Sequence, residues 1–159
     1  SLKNPYTGIL SIFSTLMLAN KPINIFEDGN ESRDFIHVRD IAASVITALS
    51  KAQTNSEIIN LGSGQEKSVI EIADMLRNEY HSQSTIEISG DFRIGDIAHN
   101  FADITKAKKL FDFTPRVSLA EGLHEFCEWV KKQEALDSGY YQSLSEMENT
   151  GMFIRTGSH

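Results

Sequence analysis

Two arginines stand beside aspartates on turn-like segments, in Gly29-Asn-Glu-Ser-Arg33-Asp34-Phe35 and in Arg93-Ile-Gly-Asp96. A guanidinium stays charged when desolvated, and its planar fork grips two phosphate oxygens at once, so an arginine fixed on a turn of an acidic chain is a candidate anion ligand. Two of them suit a diphosphate. Spacing alone equally allows Arg33 and Arg93 to pair with Asp34, Asp96 or other local carboxylates, as surface ion pairs of little energetic weight. The other reactive residue types are scattered. His37, His81, His99, His124 and His159 show no metal-ligand spacing, and His37 sits in a strand-like run that suits an interior residue. Cys127, flanked by Phe126 and Trp129 on a helical pattern, reads as a small buried hydrophobe. Gly62-Ser-Gly64 follows an apolar run without the third glycine of a dinucleotide fingerprint, so it reads as a strand-to-helix turn rather than a phosphate cradle.

These residues must be positioned by short elements. Ile9, Ile12, Phe13, Leu16 and Met17 recur at helical spacing from Gly8 to Asn20, and Lys21-Pro22 stops the helix. Ile23–Phe26 reads as a strand closed by an Asp28-Gly29 turn. Phe35–Val38 extends again, and Asp40 is expected to cap a helix with Ile41, Val45 and Leu49 on one side. Ile58–Leu61 reads as a continuous apolar strand of the kind a parallel sheet covered on both faces requires. Ser68 with Glu71 and Ser118 with Glu121 are capping boxes opening two helices, with Val69, Ala73, Leu76 and Tyr80 inward in one and Leu119, Leu123, Phe126 and Val130 in the other. Thr85–Ile88 alternates as a strand, and Asp103 is placed to cap a short helix carrying Ile104, Ala107 and Leu110 inward. The reading is a mixed α/β fold with one domain over 1–135, then a tail over 136–159 that is poorly ordered or a docking arm.

The chain has 159 residues and a formal net charge of −7, which repels nucleic acid and anionic membrane. Its densest basic group, Lys106, Lys108 and Lys109, lies among Asp103 and Asp112 as a solvated face. No apolar run approaches the roughly 20 residues that span a bilayer. A single cysteine excludes an intrachain disulfide, and a cytoplasmic location is expected.

The string Pro22-Ile-Asn-Ile-Phe26-Glu-Asp-Gly29-Asn-Glu-Ser-Arg33-Asp34-Phe35-Ile-His37-Val-Arg-Asp40 resembles the substrate-domain signature of the extended short-chain dehydrogenase/reductase family, the NAD-dependent nucleotide-sugar epimerases and dehydratases. Three later pieces follow in that family's order: Ile59–Gly64 with Ser68-Val69, Arg93–Ala107, and Pro115–Leu123. The resemblance covers residues 1 to about 131. It implies a helical substrate-binding domain with short strands, to which the helix after Asp40 and the strand Ile58–Leu61 are added as parts that complete a Rossmann sheet in the full enzyme. It implies that Arg33 and Arg93 hold the diphosphate of a UDP- or dTDP-sugar, and that Asp96 orients Arg93 or reaches a ribose hydroxyl, unless it is a loop-stabilising carboxylate. It also implies that the Ile23–Phe26 segment, Asn24 included, reads the pyrimidine edge by its backbone while Phe26 packs on or beside the base; a plain core aromatic is the alternative for Phe26. Asn4–Gly8 then approaches the sugar.

The glycine-rich NAD fingerprint and the Tyr-x-x-x-Lys pair of that family are absent from this sequence. The resemblance therefore implies a UDP-glucose 4-epimerase-like parent that uses NAD, and a piece that binds nucleotide-sugar weakly, does not bind NAD and is inactive alone. A decarboxylase or reductase of the same family, or a non-catalytic assembly module, is the alternative. Exposed apolar faces at Asp40–Gly64 are expected to drive homo-oligomerisation, with stability strongest from Ser68 to Val130.

Overall fold

In the computed structural model, which describes residues 8–133 and 140–156, short strands alternate with helices. In chain order they are α1 (Ile9–Leu18), β1 (Ile23–Ile25), β2 (Ser32–Asp34), α2 (Val38–Leu49), β3 (Glu66–Ser68), α3 (Val69–Tyr80), β4 (Ile86–Ile88), β5 (Phe92–Arg93), β6 (His99–Asn100), α4 (Thr105–Phe111), α5 (Leu119–Lys131), α6 (Tyr140–Asn149) and β7 (Phe153–Ile154). This is the mixed α/β class expected from the sequence. Among the described residues no helix is long and apolar enough to cross a membrane. The chain divides into two units, one made of residues up to Glu31, Ser68–Ala98 and those from His124 on, the other of Ser32–Lys67 and His99–Leu123.

In the first unit β1 and β4 run parallel, with Ile23 opposite Ile86 and Ile25 opposite Ile88. Ile23 and Ile25 are fully buried, as are Met17 of α1 and Ile72 and Leu76 of α3. Each such side chain stabilises by roughly 1.5–3 kcal/mol. The Ser68 capping box forms: its hydroxyl accepts from the Glu71 amide at 3.3 Å, and the Glu71 carboxylate accepts from the Ser68 amide at 2.9 Å. The Asp28-Gly29 turn places Gly29 at φ +79°, packed under Ile25 where a side chain would be strained. Two residues on, Glu31 is buried, and burial raises its carboxyl above the ordinary range, with Glu27 and Asp28 adding to the rise. On α5, Cys127 and Val130 are buried while Phe126 is only half-buried, so the thiol takes the inward place expected of the phenyl ring.

The stretch 136–159, expected as a poorly ordered tail or a docking arm, holds α6 and β7 in its described part. β7 pairs antiparallel with β5, Phe92 opposite Ile154 and Arg93 opposite Phe153. Tyr140, Ser143, Leu144 and Phe153 are buried. Ladder hydrogen bonds and buried apolar side chains thus join residues 140–156 to the first unit. Residues 4–7 of the expected sugar-facing loop lie outside the described residues, as do 134–139 and 157–159.

In the second unit β3, β2 and β6 form one sheet, with Ser32 opposite His99 and Arg33 opposite Asn100 in parallel. Ile104, Ala107, Phe111 and Phe113 make its core, with Ile36, Ile59 and Leu61 packed against them. The Asp103 carboxylate accepts the Thr105 amide at 2.9 Å at the start of α4, and bonds from Thr105 hold its carboxyl below the usual range.

Two expectations need correction here. Asp40 does not cap α2. The His37 ring does, accepting the Arg39 amide at 3.1 Å on Nδ1, because α2 begins at Val38. Asp40 is instead buried, and its Oδ2 accepts the backbone amides of Arg116 and Val117, each at 3.0 Å. Burial on α2 falls on Asp40 and Ser44, while Val38, Ile46 and Leu49 are 72%, 70% and 85% exposed. Ile58–Leu61 forms no strand, since it has no ladder partner among the described residues. Ile59 and Leu61 pack on the core, Ile58 is 87% exposed, and the Ile58 carbonyl accepts a bond from Lys106 Nζ at 2.8 Å.

Candidate functional site

β1 has β4 on one side and no second strand neighbour among the described residues. Ile23 donates its amide to Thr85 O at 2.8 Å, and Ile25 O accepts from Ser89 at 2.9 Å, so these residues spend their backbone groups toward β4. Alternation then turns the Asn24 amide and carbonyl toward the opposite edge. Phe26 follows at the end of the strand, half-buried. The Glu27 amide donates to Asp91 O at 2.8 Å and the Gly29 amide to Phe26 O at 3.2 Å, which fixes the turn on which the ring stands.

Arg93 meets that ring. Its guanidinium carbon lies 5.1 Å from the Phe26 centroid, within cation–π range. Its Nε is buried and has no hydrogen-bond partner. The cation lies over the ring, and its terminal N–H groups are the donors that would grip an anion. Asp96 stands on the same turn: its amide donates to Arg93 O at 3.2 Å, Gly95 between them has φ +85°, and its Oδ1 accepts the Ile97 amide at 3.1 Å. This bond of the Asp96 carboxylate is local to its own turn, one residue on.

A further part of this group was not identified from the sequence. Phe153 of β7 lies 5.0 Å from Phe26, centroid to centroid, and Arg155 stands 5.8 Å over Phe153. Its signal was the short apolar run Met152-Phe-Ile154 just after Gly151. Tyr140 is buried close by: burial pushes its hydroxyl up to about 12, and the Arg93 charge acts against that rise.

Arg33 belongs to the second unit and Arg93 to the first, so neither unit by itself holds the expected pair. On β2, Arg33 Nη1 donates to Ser32 O at 2.8 Å, and Arg33 lines a cavity of about 500 Å³ with Asn60, Asn100 and Phe101. Asp34 has a different task. Its carboxylate accepts the amides of Ser63 at 2.7 Å, Gly64 at 3.1 Å and Ala102 at 3.2 Å. Burial pushes its carboxyl up, but the Ser63, Ala102 and Gly64 bonds outweigh this and hold it below the usual range. A Cβ on Gly62 would sit 2.4 Å from Asp34 Oδ2, so glycine is required there. The amides of the Gly62–Gly64 turn, which a dinucleotide phosphate would need, are taken by Asp34, and this turn does not fit NAD.

A family model for epimerases, described as the NAD dependent epimerase/dehydratase family, matches residues 3–62. The dTDP-L-rhamnose 4-epimerase of Burkholderia thailandensis is 32% identical over 133 residues, covering 84% of this chain and 36% of that protein. The UDP-N-acetyl-alpha-D-glucosaminuronate decarboxylase of Bacillus cytotoxicus is 33% identical over 135 residues, 82% of this chain and 42% of that protein. Among solved structures, the UDP-glucose 4-epimerase of Thermotoga maritima with UDP-glucose aligns at a TM-score of 0.71 and 30% identity, over 82% of this chain and 42% of that one. The chain thus spans about two-fifths of the length of these proteins.

Proposed function

The chain belongs to the NAD dependent epimerase/dehydratase family, and on that premise we propose that it is the C-terminal, nucleotide-sugar-binding portion of a nucleotide-sugar 4-epimerase. One observation carries the assignment of the site. Arg93 lies with its guanidinium carbon over Phe26 and its Nε buried, and Phe26 follows a strand whose residue Asn24 turns its backbone outward. In this reading the Phe26 ring packs beside a pyrimidine and the Asn24 backbone selects its edge. The rim of the Arg93 guanidinium holds the diphosphate, and Asp96 keeps the Arg93 loop in place. Arg33 is a second candidate anion ligand on its own unit, beside the cavity it lines with Asn60 and Asn100. The substrate is a UDP- or dTDP-sugar, as the names of the related proteins support.

When bound, NAD takes up and returns the hydride in this family's chemistry. Because the Gly62–Gly64 turn does not fit it, no step of hydride transfer is assigned to this chain. What these residues contribute is the choice and placement of the substrate, whose binding energy remote from the reacting carbon orients the sugar. Residues 1–135 form this substrate-binding part in our reading.

Calorimetric titration of the chain with UDP, dTDP, uridine and NAD tests the proposal. Both nucleoside diphosphates are expected to bind, and Arg93→Ala to weaken them by about tenfold or more, since a hydrogen bond to a charged group contributes roughly 1.5–3 kcal/mol. Equal UDP affinity in the wild type and an Arg33→Ala/Arg93→Ala double variant would refute the phosphate assignment.

A further inference from the structure

The C-terminal arm lies beyond the segments that carry the family resemblance, yet it completes the surroundings of Arg93. Four side chains stack in sequence, Arg93 on Phe26, Phe26 against Phe153 and Phe153 under Arg155, at 5.1, 5.0 and 5.8 Å. The β5–β7 ladder sets this order. Arg93 and Phe153 are directly opposed, and Arg155, just past the end of β7, lies over the Phe153 ring.

Asp91 ties the stack together from behind. Its carbonyl accepts the Glu27 amide at 2.8 Å, fixing the turn after Phe26, while its buried carboxylate accepts the Thr156 amide at 2.9 Å, fixing the end of β7. Thr156 Oγ1 also donates to Ser89 O at 3.1 Å, and the Ile94 amide donates to Met152 O at 3.0 Å. Arg155 is held in turn by a forked ion pair with Glu148 of α6.

We propose that this arm is a built part of the nucleotide-diphosphate site, with Phe153 a positioning residue that presses Phe26 into place and so fixes Arg93 with its rim open to the anion. The inference rests on the reading of Arg93 as a phosphate ligand. Its physical basis is pre-organisation. A long side chain that is already stacked loses little rotamer freedom when phosphate arrives, whereas a loose arginine must be ordered on binding. An uncharged nucleoside draws nothing from Arg93 and feels the arm only through Phe26 beside the base, so the arm should matter more for diphosphates than for uridine.

The experiment compares Phe153→Leu, Phe153→Tyr and Arg93→Ala in the full chain, each titrated with UDP and with uridine. Leucine keeps most of the volume without the π face; tyrosine restores the ring. Phe153→Leu is expected to weaken UDP about tenfold and uridine much less, and Phe153→Tyr to restore UDP binding. In the Arg93→Ala background, Phe153→Leu should have no further effect on UDP. If the wild type fails to bind UDP, or Arg93→Ala binds it as tightly, the phosphate reading falls and this inference with it. If Arg93→Ala is weak but Phe153→Leu binds UDP like the wild type, or loses UDP and uridine alike, the arm has no positioning role.

Discussion

Replacing Asp34 by alanine should melt the Gly62–Gly64 turn away from the β2 sheet. Three backbone amides donate to this carboxylate, one to Oδ1 and two to Oδ2, at 2.7, 3.1 and 3.2 Å. A hydrogen bond to a charged group contributes roughly 1.5–3 kcal/mol, which gives an upper range of about 5–9 kcal/mol for the set. Two corrections lower it. The two donors on Oδ2 share one oxygen, and Asp34 lines an open cavity, so water replaces part of what is lost. About 3 kcal/mol is the expected cost. Hydrogen exchange reads this residue by residue: the amides of Ser63, Gly64 and Ala102 should exchange on the order of a hundredfold faster in Asp34→Ala, with Asp34→Asn between the two. The pH dependence has a fixed sign. The folded-state value is held below the usual aspartate range, so the stabilisation is present above that range and is lost as pH falls through the folded-state value. Protection of the three amides within threefold of the wild type would refute the assignment of Asp34 as the anchor of this turn.

Glu31 should behave in the opposite sense. Burial raises its carboxyl, so stability falls as pH rises from the ordinary glutamate range to the raised value and is flat beyond it; Glu31→Gln should remove that slope in urea melts and gain on the order of 1 kcal/mol at neutral pH. The apolar outer face of α2 and Ile58 should make the chain self-associate, and Ile46→Lys with Leu49→Glu should shift it toward monomer in sedimentation velocity; a wild-type chain monomeric at high concentration would contradict this.

What could be read from the sequence was what is local. The Ser68 capping box, the Asp28-Gly29 turn and the stripe of α1 each depend on residues at most four apart, and each formed as expected. What escaped depends on partners far along the chain. Asp34 binds amides 29, 30 and 68 residues away, and Asp40 binds amides 76 and 77 away, which made a residue with the composition of a helix cap into a loop anchor. Ile58–Leu61 had the composition of a strand and lacked a neighbour to make it one. The site was half legible. Phe26, Arg93 and Asp96 were singled out from turn chemistry and resemblance. Phe153 sits on a two-residue strand and Arg155 just past it, and the pairing of that strand with β5 joins residues some sixty positions apart.

That pairing also orders events in time. The second unit draws on two segments and is complete once Leu123 has been made, whereas the first needs three and closes only with β7. On the ribosome, β1, α1, α3 and β4 must therefore wait as a partly closed assembly, with the Phe26 ring open to solvent, until the arm arrives. Closing β5 on β7 joins residues some sixty positions apart, a slow step by loop entropy, so the Phe26 ring would be covered late, when the arm pairs.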